Sequence, residues 1–183
     1  MRIIAGELKG RRLLSPKTDD VRPTSDKVKD AVFSMLLPWL EDGSVCMDVF
    51  AGSGNLGLEA ISRGAAKVFF SDSSRESLAL CRENAKLCGV TERCVFLSGD
   101  FRSNIRRIKE PVDIFFLDPP YADRSIPEAL QAIDEAGCCK AGTIAVCEHR
   151  HKDVLPETLY GFTCIKDRRY GATGVTIYER EYS

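Results

Sequence analysis

The sequence predicts one α/β domain, a mostly parallel sheet covered by helices on both faces and finished at one edge by an antiparallel hairpin. Three observations predict it. From residue 45 onward, short β-rich runs alternate with helical periods, the pattern of a parallel sheet built from crossovers. The last two β-rich runs are joined by R-Y-G-A-T (169–173), too short for a crossover helix and right for a hairpin. The 183 residues, 44% hydrophobic and 29% charged, suffice for one core but leave no room for a second full-sized one.

Taken in order, residues 1–17 read as a small basic hairpin, I-I-A-G and R-R-L-L around Gly10. V-R-P-T-S-D-K-V-K-D-A-V-F-S-M-L then opens a helix at Thr24 or Ser25, with Val28, Ala31, Val32, Met35 and Leu36 on one face and Pro38 as its stop. Strands are expected at 45–49, 67–71, 93–97, 112–117 and 143–148, with the closing hairpin at 162–168 and 174–180. Between them, Ser73 and Glu76 form an expected capping box ahead of Leu78, Cys81, Ala85 and Cys88, and Gly89 follows as a stop. Ser125 and Glu128 repeat the device ahead of Ala129, Leu130 and Ile133. Residues 1–44 thus form an extension and 45–183 the core of a single domain.

Composition narrows the function classes. No run approaches the roughly 18–20 apolar residues of a membrane span, and M-R-I-I-A-G-E-L-K-G turns polar too soon for a signal peptide, so a cytoplasmic protein is expected. The eight cysteines contain no C-x-x-C and read as reduced thiols. Cys147, Glu148, His149 and His151 are the one local group that suggests a metal, but alternate strand residues face opposite ways and no second ligand pair stands elsewhere, so none is expected. The net charge is only −1, yet the cations cluster: Arg2, Lys9, Arg11, Arg12 and Lys17 at the start, and Arg102, Arg106, Arg107 and Lys109 later. Both runs lean toward phosphate binding.

Two motifs carry chemistry. F-A-G-S-G-N-L-G follows the first strand, and Gly52, Gly54 and Gly57 make a glycine loop that lets backbone N–H groups meet a ligand at a helix start. Asp72 ends the next strand, 20 residues past Gly52, where an acid holds ribose hydroxyls. The second motif, D-I-F-F-L-D-P-P-Y-A-D, is a buried strand that ends abruptly in an acid, two prolines and an aromatic. Asp118 and the Pro119 carbonyl offer hydrogen-bond acceptors, the prolines remove competing donors, and Tyr121 offers a ring for stacking.

D-x-F-A-G-S-G, with Asp100 after the third strand, resembles the S-adenosylmethionine site of class I methyltransferases. That resemblance implies a Rossmann-like sheet of seven strands in the order 3-2-1-4-5-7-6, which sets Asp118, Pro119 and Tyr121 beside the glycine loop as the catalytic group. It implies cofactor binding by Asp48, Phe50, Ala51, Gly52, Ser53, Gly54, Asn55, Gly57, Asp72, Ser73, Asp100 and Phe101. D-P-P-Y resembles the motif of amino-group methyltransferases. With M-R-I-I-A-G-E-L-K-G-R-R-L, the R-P-T segment and Y-G-A-T-G-V-T-I-Y-E-R, the whole chain is similar to the bacterial 16S ribosomal RNA (guanine-N2)-methyltransferase D family. That similarity implies methyl transfer to N2 of one guanine, with 16S rRNA or a small-subunit assembly intermediate as partner and the protein as a monomer. It assigns RNA contact to Arg2, Lys9, Arg11, Arg12, Arg22, Thr24, Lys27 and Arg102, with the basic helix from Arg22 to Lys29 on the RNA and both basic runs flanking the mouth. The chain departs from the family at Lys27 and Lys29, where arginines are common, and at Ser71-Asp72, where an apolar residue and a glutamate are usual. A DNA adenine or protein glutamine methyltransferase, an RNA-binding module with a vestigial cofactor site, and a small nicotinamide-binding protein stand as alternatives.

Overall fold

The structure is a computed structural model that describes residues 1–17, 25–120 and 124–181. Five parallel strands form its centre: β1 (Val45–Asp48), β2 (Lys67–Asp72), β3 (Cys94–Ser98), β4 (Ile114–Leu117) and β5 (Ile144–Arg150). Three antiparallel strands complete the edge, β6 (Thr158–Leu159), β7 (Phe162–Tyr170) and β8 (Thr173–Arg180), in the order β3-β2-β1-β4-β5-β8-β7-β6. The expected order of seven is present, with an eighth strand of two residues added beyond it. Periodicity does not reveal so short a strand. Its turn explains it: Tyr160 (φ 47°) and Gly161 (φ 80°) both take positive φ, which suits a two-residue hairpin loop.

The strands alternate their side chains between two cores. Cys46, Phe70, Phe116, Val146 and Ile177 face one core with α1 (Asp26–Met35), α2 (Asn55–Ser62), α3 (Arg75–Leu87) and the first 13 residues. Met47, Phe69, Phe115, Cys147 and Tyr178 face the other with α4 (Phe101–Arg106) and α5 (Ser125–Ala136). Helix α2 is buried on every residue, because the N-terminal segment covers the side that would otherwise meet solvent.

That segment is a compact hairpin rather than two full strands. It is closed by Ile3 N–H to the Arg11 carbonyl (2.9 Å), Leu13 N–H to the Met1 carbonyl (2.9 Å) and one bridge between Arg2 and Arg12. Helix α1 starts from Ser25, whose side chain accepts from Val28 N–H, and stops before Pro38 as expected. Leu78, Cys81, Ala85 and Cys88 are all buried on one face of α3 and its cap.

Both expected capping boxes require correction. The N-cap of α3 is Ser74, which accepts from Ser77 N–H (3.2 Å), because Asp72 reaches forward to Ser74 N–H and fixes the turn one residue later. Ser125 lies inside α5 with Arg124 at its N-cap position, and Glu128 pairs with Arg102 of α4 instead of turning back on its own helix.

Candidate active site

The parallel strands end on one side of the sheet, and strand order reverses between β1 and β4, where open α/β sheets hold ligands. In register, Asp48 lies opposite Phe116, and Val49 N–H continues the ladder to the Phe116 carbonyl (3.1 Å). Asp118 and Pro119 therefore leave β4 beside the loop that leaves β1. Both are partly buried. Tyr121 lies outside the described residues, as do Arg22 and Thr24 and with them the R-P-T segment.

Two carboxylates shape the glycine loop. Asp48 is 1% exposed, and its Oδ2 accepts from Gly57 N–H (3.1 Å). Its Oδ1 is buried without a hydrogen-bond partner. Burial, together with the nearby Asp118 and Asp72 charges and against the Gly57 hydrogen bond, raises its pKa to about 7. Asp72 accepts from Gly52 N–H through one oxygen and from Ser74 N–H through the other, each at 2.8 Å, so it bridges the loop to the start of α3. Gly52 has φ 55° and open space where a Cβ would lie. Gly57 instead presses α2 onto β2: a Cβ there would lie within 2.8 Å of Phe70 Cζ.

Across the loop, the Phe50 and Phe101 rings meet at 5.0 Å between centroids. Asp100 caps α4 by accepting from Arg102 N–H (2.8 Å), and its other oxygen pairs with the Arg102 guanidinium (3.0 Å). Arg102 also lies over Phe101 and pairs with Glu128, so this expected RNA contact carries two carboxylate partners. Asn104 ties this corner down by donating to the Ser71 hydroxyl (2.9 Å) and the Leu97 carbonyl (3.0 Å). The unusual Ser71 thereby acquires a role as the buried acceptor for Asn104. Ala51 and Ser53 are buried loop residues, and Ser73 is exposed at the rim.

The main departure from expectation is Lys29. It is fully buried and cannot touch RNA as the basic-helix reading required. Its Nζ donates to the Arg2 carbonyl (2.6 Å) and the Asn55 side chain (2.7 Å) and pairs with Glu59 (3.1 Å). Desolvation lowers its pKa, and the pairing with Glu59 opposes that shift. Asn55 is thus engaged by Lys29 at the first turn of α2. Glu59 also accepts from Ile4 and Ala5 N–H and from Arg63. Asn84 of α3 performs a similar task, joining both backbone groups of Leu14 to the Ser53 carbonyl. Lys29, Glu59, Asn84 and Asn104 were missed as site-building residues; for the last three, a charge or amide within an apolar helix face was the available signal, and for Lys29 there was none.

The two expected basic runs do not flank the mouth equally. Arg2, Arg12 and Met1 lie at its open end, with Met1 touching Ser53 and Arg2 paired with Asp26. The hairpin tip with Lys9 runs to the far end of α2, where Gly6 abuts Ser62. Arg11 donates to the Leu87 carbonyl. Lys27 is exposed at the start of α1. Arg106, Arg107 and Lys109 follow α4 away from the mouth.

The described residues hold no group of histidine, cysteine and carboxylate side chains that would bind a metal, and His149 hydrogen-bonds Thr176 and the Arg150 carbonyl. The eight cysteines are free thiols. No helix is long and apolar enough to cross a membrane among the described residues.

Comparison with known proteins agrees with this arrangement. Residues 1–179 match the family described as conserved hypothetical protein 95. The provisionally named rRNA methyltransferase YlbH of Bacillus subtilis is 35% identical over 98% of this chain and 99% of its own. Ribosomal RNA small subunit methyltransferase D of Escherichia coli is 31% identical over 99% of this chain and 90% of its own. A solved structure of yhhF, a provisionally named methyltransferase of Escherichia coli, superposes with a TM-score of 0.89 at 27% identity, covering 100% of this chain and 99% of that one. The fold is that of the class I methyltransferases, and the chain belongs to the conserved hypothetical protein 95 family, together with the ribosomal RNA small subunit methyltransferase D proteins.

Proposed function

We propose that this protein is an S-adenosylmethionine-dependent methyltransferase that modifies the exocyclic N2 amine of a guanine in small-subunit ribosomal RNA, in the cytoplasm where that RNA is assembled. The observation that carries the reading is the position of Asp118-Pro119, at the end of β4 and beside the glycine loop.

The residues at the mouth fit the cofactor. The unpartnered Asp48 Oδ1 suits the ammonium of its methionine part, the open backbone at Gly52 leaves room for close approach, and Asp72 lies where ribose hydroxyls would donate to it. Phe50 and Phe101 offer apolar faces to the adenine, with Asp100 at their edge. When bound, the cofactor supplies a sulfonium methyl group that is strongly electrophilic.

The chain's own work is alignment. A base amine is a poor nucleophile because its lone pair is delocalised into the ring. Asp118 and the Pro119 carbonyl accept its two N–H bonds, hold the nitrogen toward the glycine loop and favour the pyramidal geometry of attack. Pro119 and Pro120 lack N–H groups that would compete for those acceptors. A base must leave its stack to reach this position, so an unpaired guanine is the easier target.

The test is Asp118→Ala. Calorimetry is expected to show cofactor binding retained, while transfer of labelled methyl to small-subunit RNA falls by at least about a hundredfold, the usual contribution of a positioned catalytic group. Unchanged turnover would remove Asp118 from the reaction. Labelling of DNA or of a protein glutamine in preference to RNA would replace the substrate.

A further inference from the structure

Resting on the RNA reading, we infer that the β5-β8-β7 edge forms a phosphate-binding wall that grips the substrate strand beside the target base. Cys147 of β5 is level with Leu117, the last residue of β4. Strand β5 continues for three residues to Arg150, so this edge rises roughly 10 Å above the level at which β4 ends. β8 and β7 rise with it: Arg150 pairs with Thr173, which pairs with Tyr170, and His149 pairs with Gly174, which pairs with Arg169. His151 N–H seals the corner on the Ala172 carbonyl (2.8 Å).

The wall stands on the β5 side of Asp118, away from the glycine loop, and its crest is basic. Arg150, His151, Lys152, Arg168 and Arg169 are all exposed there. Arg150 is paired with Asp153 (2.9 Å). Asp167 accepts from the Thr176 hydroxyl. Lys152, Arg168 and Arg169 join no ion pair among the described residues; Arg168 and Arg169 instead bond backbone carbonyls of Asp167 and Gly171, which fixes them without neutralising them. This contrasts with Arg102 and Arg2, whose charges are already matched by carboxylates. As neighbours on β7 the two stand on opposite faces of the crest, so a strand that crosses it meets one held, unneutralised guanidinium on each side, which fits backbone phosphates.

The experiment compares three double variants on small-subunit RNA transcribed in vitro, both naked and assembled with ribosomal proteins. Arg168→Ala/Arg169→Ala is expected to raise the RNA KM about tenfold and to lower the slope of log affinity against log salt by about one to two, the loss of two phosphate contacts. Arg168→Lys/Arg169→Lys keeps the charge and most of that slope. Lys67→Ala/Lys140→Ala removes two cations from the opposite, amino end of the sheet and leaves both quantities near wild type. Melting temperatures identify any variant that is misfolded, and both arginines are exposed, so the alanine variant is expected to fold. A wild-type KM and slope in Arg168→Ala/Arg169→Ala would overturn the wall. So would an equal loss in the Lys67 and Lys140 variant, or a defect seen only on RNA already carrying ribosomal proteins, which would make the wall a protein contact. If the wild-type enzyme neither binds nor methylates the RNA in either form, the parent reading fails instead, and the wall with it.

Discussion

The glycine loop and the N-terminal extension meet the same helix, α2, but by different physics. The loop is shaped from within a short stretch of chain, by carboxylates that accept backbone N–H groups: Asp48 from Gly57 and Asp72 from Gly52. The extension is fastened from far away, by the Lys29–Glu59 pair and the bonds that Glu59 makes to Ile4 and Ala5. Backbone-to-carboxylate bonds fix a surface that a ligand can read. A buried ion pair fixes which segment covers which helix, since few other placements satisfy both charges. Through Asn55, Lys29 also links the extension to the first turn of α2, directly after the loop.

The sharpest way to break this comparison is Lys29→Met. It leaves Glu59 buried with only Arg63 as a charged partner and frees the Arg2 carbonyl, so a loss of about 3 to 5 kcal/mol is expected in denaturant unfolding. A loss below about 1 kcal/mol, the range of an exposed pair, would show that the extension is held by its apolar contacts instead. Gly57→Ala tests the loop's side. Its new methyl meets the buried Phe70 ring and forces α2 away from β2, at an expected cost of about 1 to 3 kcal/mol. Because Gly57 N–H also holds Asp48, cofactor affinity measured by calorimetry should fall in the same variant. Unchanged affinity would uncouple helix packing from loop shape.

How much of this was legible depended on how local the cause was. The alternation of strands and helices and the glycine loop with Asp72 followed from contiguous patterns with fixed spacings, whereas the order of strands came only with the resemblance to class I methyltransferases. The Lys29 network did not, because V-K-D-A-V looks the same whether the lysine faces water or the distant carboxylate of Glu59. The caps were misplaced by one residue for a similar reason: Ser73 and Ser74 are both acceptable, and the choice was made by Asp72 reaching to Ser74 N–H. Likewise R-R-Y-G-A-T reads as a turn, and only the register of three strands shows that Arg168 and Arg169 rise with the end of β5, three strands across the sheet from β4.

Asp48 gives the smallest of these effects and the most specific. Its folded pKa, raised to about 7 from an ordinary 3.8, means that the folded protein holds a proton which the unfolded chain releases. The stability this contributes is fully present below 3.8 and lost as the pH rises through about 7. Between pH 6 and pH 8 that amounts to about 1.4 kcal/mol lost, equivalent to one pKa unit. Asp48→Asn keeps an oxygen for Gly57 N–H and removes the titrating group, so its stability should stay flat over that interval and exceed wild type at pH 8. Cofactor affinity should move the other way. The wild-type carboxylate gains charge from pH 6 to pH 7 and on the proposed reading should hold the cofactor ammonium more tightly, while the Asp48→Asn variant should bind it poorly at every pH. Thermal melts and calorimetry across this range test both halves: a variant that gains stability at pH 8 without losing affinity would show that Asp48 shapes the loop but does not touch the ligand.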